Sequence, residues 1–323
     1  MKLKQRLNPN RVIEFFKENS FVKKAILRAK IPNKFPPFLW IEATNNCNLK
    51  CEFCPRERSG KKLGNISFEL YKKIIDESVR HGKRLAIGLS KDGDPLMHPE
   101  IGRLVRYAKE KKAARFTHFT TNAVALHEKK ALDVLKSGLD DLRISVDAAS
   151  RETYKKIKGV DALPIVEENI KRFLELRKKL KLKKPFVRVK ILRMKETKDE
   201  VKEFIKKWED IADWVEVSDY YVWDDVKDFS IKKVPKRYAC NYLWYWPNIN
   251  WDGKVSICCM DNGKCVIGDV SKDSLYNIWN GEKLRKIRLM HLNKEYDKIN
   301  VCKNCTGWAI EPNIEGWLRF VTR

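Results

Sequence analysis

The sequence predicts an α/β fold built on a parallel sheet, and three observations carry that prediction. Short runs rich in β-branched and aromatic residues recur six times along the chain. Helical patterns separate them. Each strand-plus-helix unit spans about 25–45 residues, the length of a right-handed crossover between parallel strands. A partial barrel and an open doubly wound sheet both fit, and in either one chemistry gathers at the carboxyl ends of the strands.

The six strand-like runs are Phe38 to Ala43, Arg84 to Leu89, Arg115 to Thr120, Leu142 to Val146, Phe186 to Leu192 and Trp214 to Val217. Helical periodicity falls near 67–82, 98–112, 128–137, 163–181 and 197–212. Ahead of them, residues 11–30 read as a basic helix with Val12, Phe15, Phe16, Val22, Ile26 and Leu27 apolar, ended by Pro32, Pro36 and Pro37. Such a helix usually packs across the domain that follows it. The expected organisation is therefore an N-terminal extension over 1–36, a core over 37–235 and a smaller unit over 236–323.

Composition narrows the class. The chain has 323 residues, 43% of them apolar, enough for a sizeable core and against wholesale disorder. It carries 68 basic and 43 acidic side chains, a formal charge of +25. That excess suits anionic partners, although a lysine-rich solvated surface is the commoner reason for it. No stretch reaches the ~20 apolar residues of a membrane span, and the basic start lacks the apolar core of a signal peptide. A cytoplasmic location is the default expectation. In a reducing compartment nine cysteines point to metal or catalytic roles rather than disulfides.

Cys47, Cys51 and Cys54 form a C-x3-C-x2-C cluster directly after the first strand. Three thiolates in one tight loop suit three irons of a [4Fe–4S] cube and leave the fourth open to a small molecule. Zinc is the competing reading, but zinc sites usually draw four ligands from paired cysteines or histidines, and no histidine lies nearby. On these residues the chain resembles the radical S-adenosylmethionine superfamily over most of 38–220. The resemblance implies a partial (β/α)6 barrel whose cluster binds S-adenosylmethionine (SAM) and cleaves it to a 5′-deoxyadenosyl radical.

It also implies roles for further residues. Phe53 matches the aromatic beside the cluster and adenine. Asp92-Gly93-Asp94-Pro95 matches the family's Gly-Gly-Glu-Pro segment, with Gly93, Asp94 and Pro95 placed to meet the methionyl amine; the two aspartates depart from that pattern. Asn122, ending the third strand, faces the cofactor. Ser145 and Asp147, alternating on the fourth, reach the ribose hydroxyls, while Asp147 or Ser150 also suits a helix cap near Tyr154. Arg193, after the fifth strand, is a candidate for the methionyl carboxylate.

Six of the nine cysteines follow residue 235. Asn250 to Val255 reads as a hairpin turning on Asp252-Gly253. Cys240 precedes Cys258 by eighteen positions, and Cys302 and Cys305 form a C-x2-C pair. This set resembles the C-terminal extension called SPASM, or twitch in its reduced form, in which the hairpin ends on a ligand six residues beyond the Asp. The denser cysteine run of full SPASM is missing, so one auxiliary [4Fe–4S] cluster on Cys240, Cys258, Cys302 and Cys305 is expected. Adjacent cysteines on a strand point to opposite faces, which prefers Cys258 over Cys259 and leaves Cys259 and Cys265 as spare thiols. A four-cysteine zinc staple is the structural alternative.

A fully ligated auxiliary cluster has no iron for substrate and would relay electrons. The expected reaction is thus hydrogen abstraction followed by dehydrogenation of a sugar, cyclitol or other small molecule, as in the aminocyclitol-oxidising members of the family. The same equipment serves peptide maturases and epimerases. His118, Asp219 and Tyr220 are the catalytic candidates, with Tyr221 and Lys190 facing the same opening. Expected partners are a small, possibly anionic, substrate or a peptide, and an external one-electron reductant such as flavodoxin or ferredoxin. A nucleic-acid-modifying role, suggested by the charge, lacks any recognisable RNA-binding module or stacking motif. A non-enzymatic electron carrier would bind SAM without cleaving it.

Overall fold

The computed structural model describes residues 35–56, 60–82, 85–222, 228–230, 237–261 and 263–309. The basic helix expected over 11–30 lies outside these residues.

Six parallel strands follow one another in both sequence and space: β1 (Phe38–Ile41), β2 (Leu85–Gly88), β3 (Ala114–Thr121), β4 (Asp141–Ser145), β5 (Phe186–Arg193) and β6 (Trp214–Asp219). Strand order never reverses, so the doubly wound alternative falls and the winding is that of a partial barrel. The strands lie where the β-branched runs predict them, displaced by a residue or two at their ends.

The crossovers are α1 (Phe68–Arg80), α2 (Ile101–Glu110), α3 (Glu128–Leu135), α4 (Arg151–Lys158), α5 (Leu163–Lys179) and α6 (Val201–Trp208). Sequence periodicity missed α4 as a separate element. Its start is nonetheless marked: the Ser150 hydroxyl accepts from Thr153 N at 3.2 Å, and Gly159 ends it at φ +77°. The helix expected from residue 98 begins instead at Ile101, after a 3-10 turn over Pro95–Met97.

Period-two alternation sorts the strand residues onto two faces. Leu39, Ile41, Ile87, Phe119, Leu142, Ile144, Val187, Val189 and Ile191 are essentially inaccessible and share one core with Ile74, Leu104, Val134, Ile170 and Phe204 of the helices. Each such side chain contributes about 1.5–3 kcal/mol by leaving water. The alternate positions, among them Trp40, His118, Asp141, Arg143, Arg188, Lys190 and Glu216, form the barrel's polar inner face.

The C-terminal unit continues this sheet. β7 (Asn248–Ile249) runs parallel beside β1, and β8 (Lys254–Ser256) and β9 (Val266–Asp269) follow antiparallel. The Asp252-Gly253 hairpin is present, with Gly253 at φ +90°. Among the described residues this unit also holds α7 (Tyr242–Tyr245), α8 (Leu275–Asn280) and α9 (Glu282–Leu292), followed by 3-10 turns. Buried Glu77 of α1 accepts from Leu275 N and Tyr276 N, both at 2.9 Å, and so caps α8 from the core. His81 stacks on both Phe35 and Tyr276 at 4.8 Å. No described helix is long and apolar enough to cross a membrane.

Candidate functional site

Beyond β1 the chain leaves the sheet and is pinned at once. Thr44 Oγ1 donates to Gly64 O at 3.0 Å, Asn45 Nδ2 to Lys62 O at 2.9 Å, and Gly64 N to Asn45 Oδ1 at 2.8 Å. The loop so anchored carries Cys47, Cys51 and Cys54, all half-buried. Cys54 N closes a turn on Cys51 O at 3.1 Å, and Glu52 N fastens the loop to Ile157 O of α4 at 3.0 Å. Asn122 Nδ2 reaches in from the end of β3, donating to Asn48 Oδ1 at 2.8 Å and lying 3.8 Å from Cys47 Sγ.

Burial pushes the Cys47 thiol up to about 11 and raises Cys51 and Cys54 as well. Without bound cations these groups stay protonated, so irons are what would draw out the thiolates. Thiols alone, with no histidine among them, are the donor set of an iron–sulfur cluster. Among the described residues no three His, Cys, Asp or Glu side chains converge on a single ion position. A cluster does not require that, because each thiolate takes its own iron.

The segment after β2 that carries Gly93, Asp94 and Pro95 packs against this loop. A Cβ on Gly93 would stand 2.4 Å from Thr44 O and 2.5 Å from Asn46 O, so only glycine allows the approach. Asp94, buried, accepts from Leu96 N at 2.9 Å, Thr121 Oγ1 at 2.9 Å and Asn122 N at 2.7 Å. Its carboxylate thereby clamps the loop after β2 to the end of β3. Pro95 opens the short 3-10 turn behind it.

At the end of β4, Ser145 Oγ donates to Asp147 Oδ2 at 2.5 Å, and Leu192 N donates to Asp147 Oδ1 at 2.9 Å. Asp147 is fully buried at φ +67°, so it does not cap α4; Ser150 does. The sequence reading missed its main partner, Lys158, the last residue of α4. Lys158 Nζ lies 2.5 Å from Asp147 Oδ2, 3.1 Å from Ser145 O and 5.2 Å above the Phe53 ring. Burial opposes its charge, but Asp147 outweighs that and raises its pKa. A lysine eleven residues beyond an aspartate gives no sequence signal of a pair; only α4 folding back brings them together.

Arg193 and Asp219, assigned separate roles by sequence, pair with each other: Arg193 Nε donates to Asp219 Oδ1 at 2.8 Å. Tyr220 is buried with its ring edge-on to Phe229 at 5.6 Å, and Tyr221 is half-buried. His118 is buried on the inner face beside Trp40, ring centroids 5.4 Å apart. Burial and then the charges of Arg143 and Arg188 push its pKa well below the usual range, so it is neutral.

In the C-terminal unit one cavity is lined by Cys240, Cys258, Cys259, Cys302 and Cys305, while Cys265 stays outside it. The expectation that Cys258 and Cys259 point apart is corrected. Strand β8 ends at Ser256, so both cysteines lie in the turn beyond it and strand alternation does not govern them. Burial raises every one of these thiols, Cys259 and Cys302 to about 12. Arg237 braces the C-x2-C turn, donating to the carbonyls of Cys302 and Lys303.

His291 Nδ1 accepts from Cys240 N at 3.3 Å. Burial, with Arg237 nearby, lowers its pKa to about 4.

The two cysteine sites are joined by a buried charge network. Lys91, just after β2, donates to Asn250 Oδ1 at 2.7 Å and Ser256 Oγ at 3.1 Å, and lies 3.6 Å from Asp261. Buried Glu42 accepts from Asp92 N at 3.4 Å and Trp251 N at 3.2 Å. The segment carrying Gly93 is therefore tied to the hairpin that carries Cys258.

Comparison with known proteins agrees with this geometry. The family model described as Radical SAM superfamily matches residues 41–208, and that described as Iron-sulfur cluster-binding domain matches 240–306. A protein of Pyrococcus furiosus, named tungsten-containing aldehyde ferredoxin oxidoreductase cofactor-modifying protein, is 23% identical over 87% of this chain and 91% of its own length. The crystal structure of BtrN in complex with AdoMet and 2-DOIA superposes with a TM-score of 0.56 at 18% identity, covering 84% of this chain and 94% of BtrN. Streptococcus suis SuiB bound to precursor peptide SuiA gives 0.65 at 17% identity, covering 94% of this chain and 76% of SuiB. The chain belongs to the radical SAM superfamily, carries the SPASM iron–sulfur domain behind its core, and takes S-adenosylmethionine and [4Fe–4S] clusters as cofactors.

Proposed function

We propose that this radical SAM enzyme oxidises a small polar molecule, removing a hydrogen atom from a carbon that bears a hydroxyl and then a proton and an electron to leave a carbonyl. When bound, the cofactors supply the hydrogen-abstracting radical and a second redox centre. The observation that carries the reading is the five-cysteine cavity, which has enough thiols to close every coordination position of an auxiliary cluster.

The remaining work belongs to the chain's own side chains. Cys47, Cys51 and Cys54 would hold the first cluster, and Cys240, Cys302, Cys305 and one of Cys258 or Cys259 the second. Asp94, held in place by Leu96 N, Thr121 Oγ1 and Asn122 N, would turn its carboxylate toward the methionyl amine. Ser145 Oγ spends its proton on Asp147 and keeps lone pairs for a ribose hydroxyl. Arg193 retains donors beyond those given to Asp219 and suits the methionyl carboxylate. An external one-electron reductant of the flavodoxin or ferredoxin class starts each turnover.

A second reading, peptide modification, is favoured by one feature. Among the described residues β6 is an unpaired sheet edge, with Trp214 and Val217 exposed, and an extended peptide can add to such an edge.

The test uses anaerobically reconstituted protein, dithionite, SAM and a panel of polyols, cyclitols and phosphorylated sugars deuterated on carbon. Oxidation predicts deuterium in 5′-deoxyadenosine and a product two hydrogens poorer. Deuterium transfer only from a peptide would overturn it in favour of the second reading.

A further inference from the structure

The inner face of the barrel carries a charged array that neither cysteine site uses. Across the sheet, Trp40, Gly88, His118 and Asp141 stand in one register row. The next row holds Thr120, Arg143 and Arg188, and the row beyond it Ser145, Lys190 and Glu216.

Arg143 and Arg188 are direct cross-strand neighbours, an arrangement that like charges disfavour. Buried Asp141 offsets it, accepting from Arg143 Nε at 3.1 Å and from Arg188 Nε at 2.9 and 3.0 Å. Each guanidinium has five N–H donors in a planar fork, and these bonds use only the Nε edge. Among the described residues no hydrogen bond to either pair of Nη atoms is present, and the two side chains remain 32% and 27% exposed.

Arginines with a structural task in this protein look different. Arg288 gives Nε to Leu243 O and Nη1 to Trp279 O, and Arg56 gives Nη2 to Leu49 O. The charges on the inner face also fail to cancel. Three cations, Arg143, Arg188 and Lys190, face two carboxylates, Asp141 and Glu216; burial opposes the charge of Glu216, but Lys190 and Arg143 overcome this and keep it ionised. His118 adds none, being neutral.

Two buried polar atoms in the adjoining row, His118 Nδ1 and Trp40 Nε1, have no hydrogen-bond partner. Buried polar groups are normally satisfied, so this pair is available to polar groups of a ligand bound on the inner face. Gly88 lies between them; a Cβ there would come within 3.0 Å of the His118 ring.

We propose that Arg143 and Arg188, aligned by Asp141, clamp an oxyanion of the substrate, a carboxylate or a phosphate, while His118 and Trp40 meet its neighbouring polar groups. Two guanidinium forks side by side match the planar or tetrahedral oxygens of such a group. This rests on the oxidation reading, to which it adds that the substrate sits on the inner face. It deepens that reading by naming the substrate class: an acid or a phosphate ester, rather than a neutral polyol.

Isothermal titration of the cluster-loaded protein with inorganic phosphate and with succinate, at low ionic strength, tests the clamp. One of the two is expected to bind with 1:1 stoichiometry, and which binds tighter identifies phosphate or carboxylate as the substrate's anion. Arg143→Gln and Arg188→Gln are each expected to weaken that binding about tenfold or more. Arg172→Gln, an exposed change on α5, should leave it unaltered. If either glutamine variant fails to fold, Arg188→Lys keeps a charge for Asp141 but loses the fork and should still weaken binding severalfold. Affinities unchanged by these substitutions, or no binding of either anion by wild type, would overturn the clamp. Parallel assay of wild type for 5′-deoxyadenosine separates the two ideas: anion binding through these arginines without SAM cleavage would sink the radical reading and leave the clamp standing.

Discussion

Cys51→Ala is expected to abolish formation of 5′-deoxyadenosine and to lower the iron content from about eight to about four per chain, one cube being lost. With two thiols left in the first loop, a cube held there would have two unprotected irons and disassemble, and SAM would have nothing to chelate. Cys51 is also the thiol nearest in charge to Lys158, whose cation eases its ionisation against the effect of burial. Cys302→Ala should show the same fall in iron yet keep SAM binding and reductive cleavage, because Cys302 lines the other cavity. Iron and sulfide counting with chromatographic assay of 5′-deoxyadenosine decides the matter. Retention of SAM cleavage by Cys51→Ala would show that this loop is not the cofactor site.

Lys158→Met should cost about 3–5 kcal/mol of stability, the usual consequence of leaving one member of a buried ion pair without its partner. Asp147 is fully buried, and only Ser145 Oγ and Leu192 N would remain to it. The same ammonium holds Ser145 O and sits over Phe53, so its loss loosens the end of β4 and the cysteine loop together. SAM affinity should therefore fall along with stability. The double variant Asp147→Asn with Lys158→Met removes both charges and is expected to recover much of the lost stability without restoring SAM affinity. Urea midpoints and equilibrium dialysis with labelled SAM measure the two effects. A single variant within about 1 kcal/mol of wild type would contradict the role given to the pair.

The sequence made some parts of this molecule legible and hid others, for physical reasons. The strands of the core announce themselves because Leu142, Ile144, Val187, Val189 and Ile191 must fill a helix-covered face, and apolar alternation is a local signal. The cysteine spacings are equally local. Helix α4 gives little periodicity because Tyr154 and Ile157 are almost its entire apolar face, and its legible signal is the capping Ser150 at its start. Lys158 with Asp147, and Lys91 with Asp261, were invisible, since each pair is assembled by tertiary packing between residues that share no pattern. Strand alternation does not separate Cys258 from Cys259, because β8 ends at Ser256, ahead of both. The pairing of β1 with β7, which turns the C-terminal unit into an extension of the core sheet, likewise carries no signal in either two-residue match.

Electron paramagnetic resonance of the reduced Cys302→Ala protein, with and without SAM, tests the open iron most directly. With the auxiliary cube removed, the spectrum should be that of one [4Fe–4S]⁺ centre whose g-values shift when SAM is added. An identical spectrum at saturating SAM would mean that no iron in the Cys47–Cys54 loop is available to the cofactor.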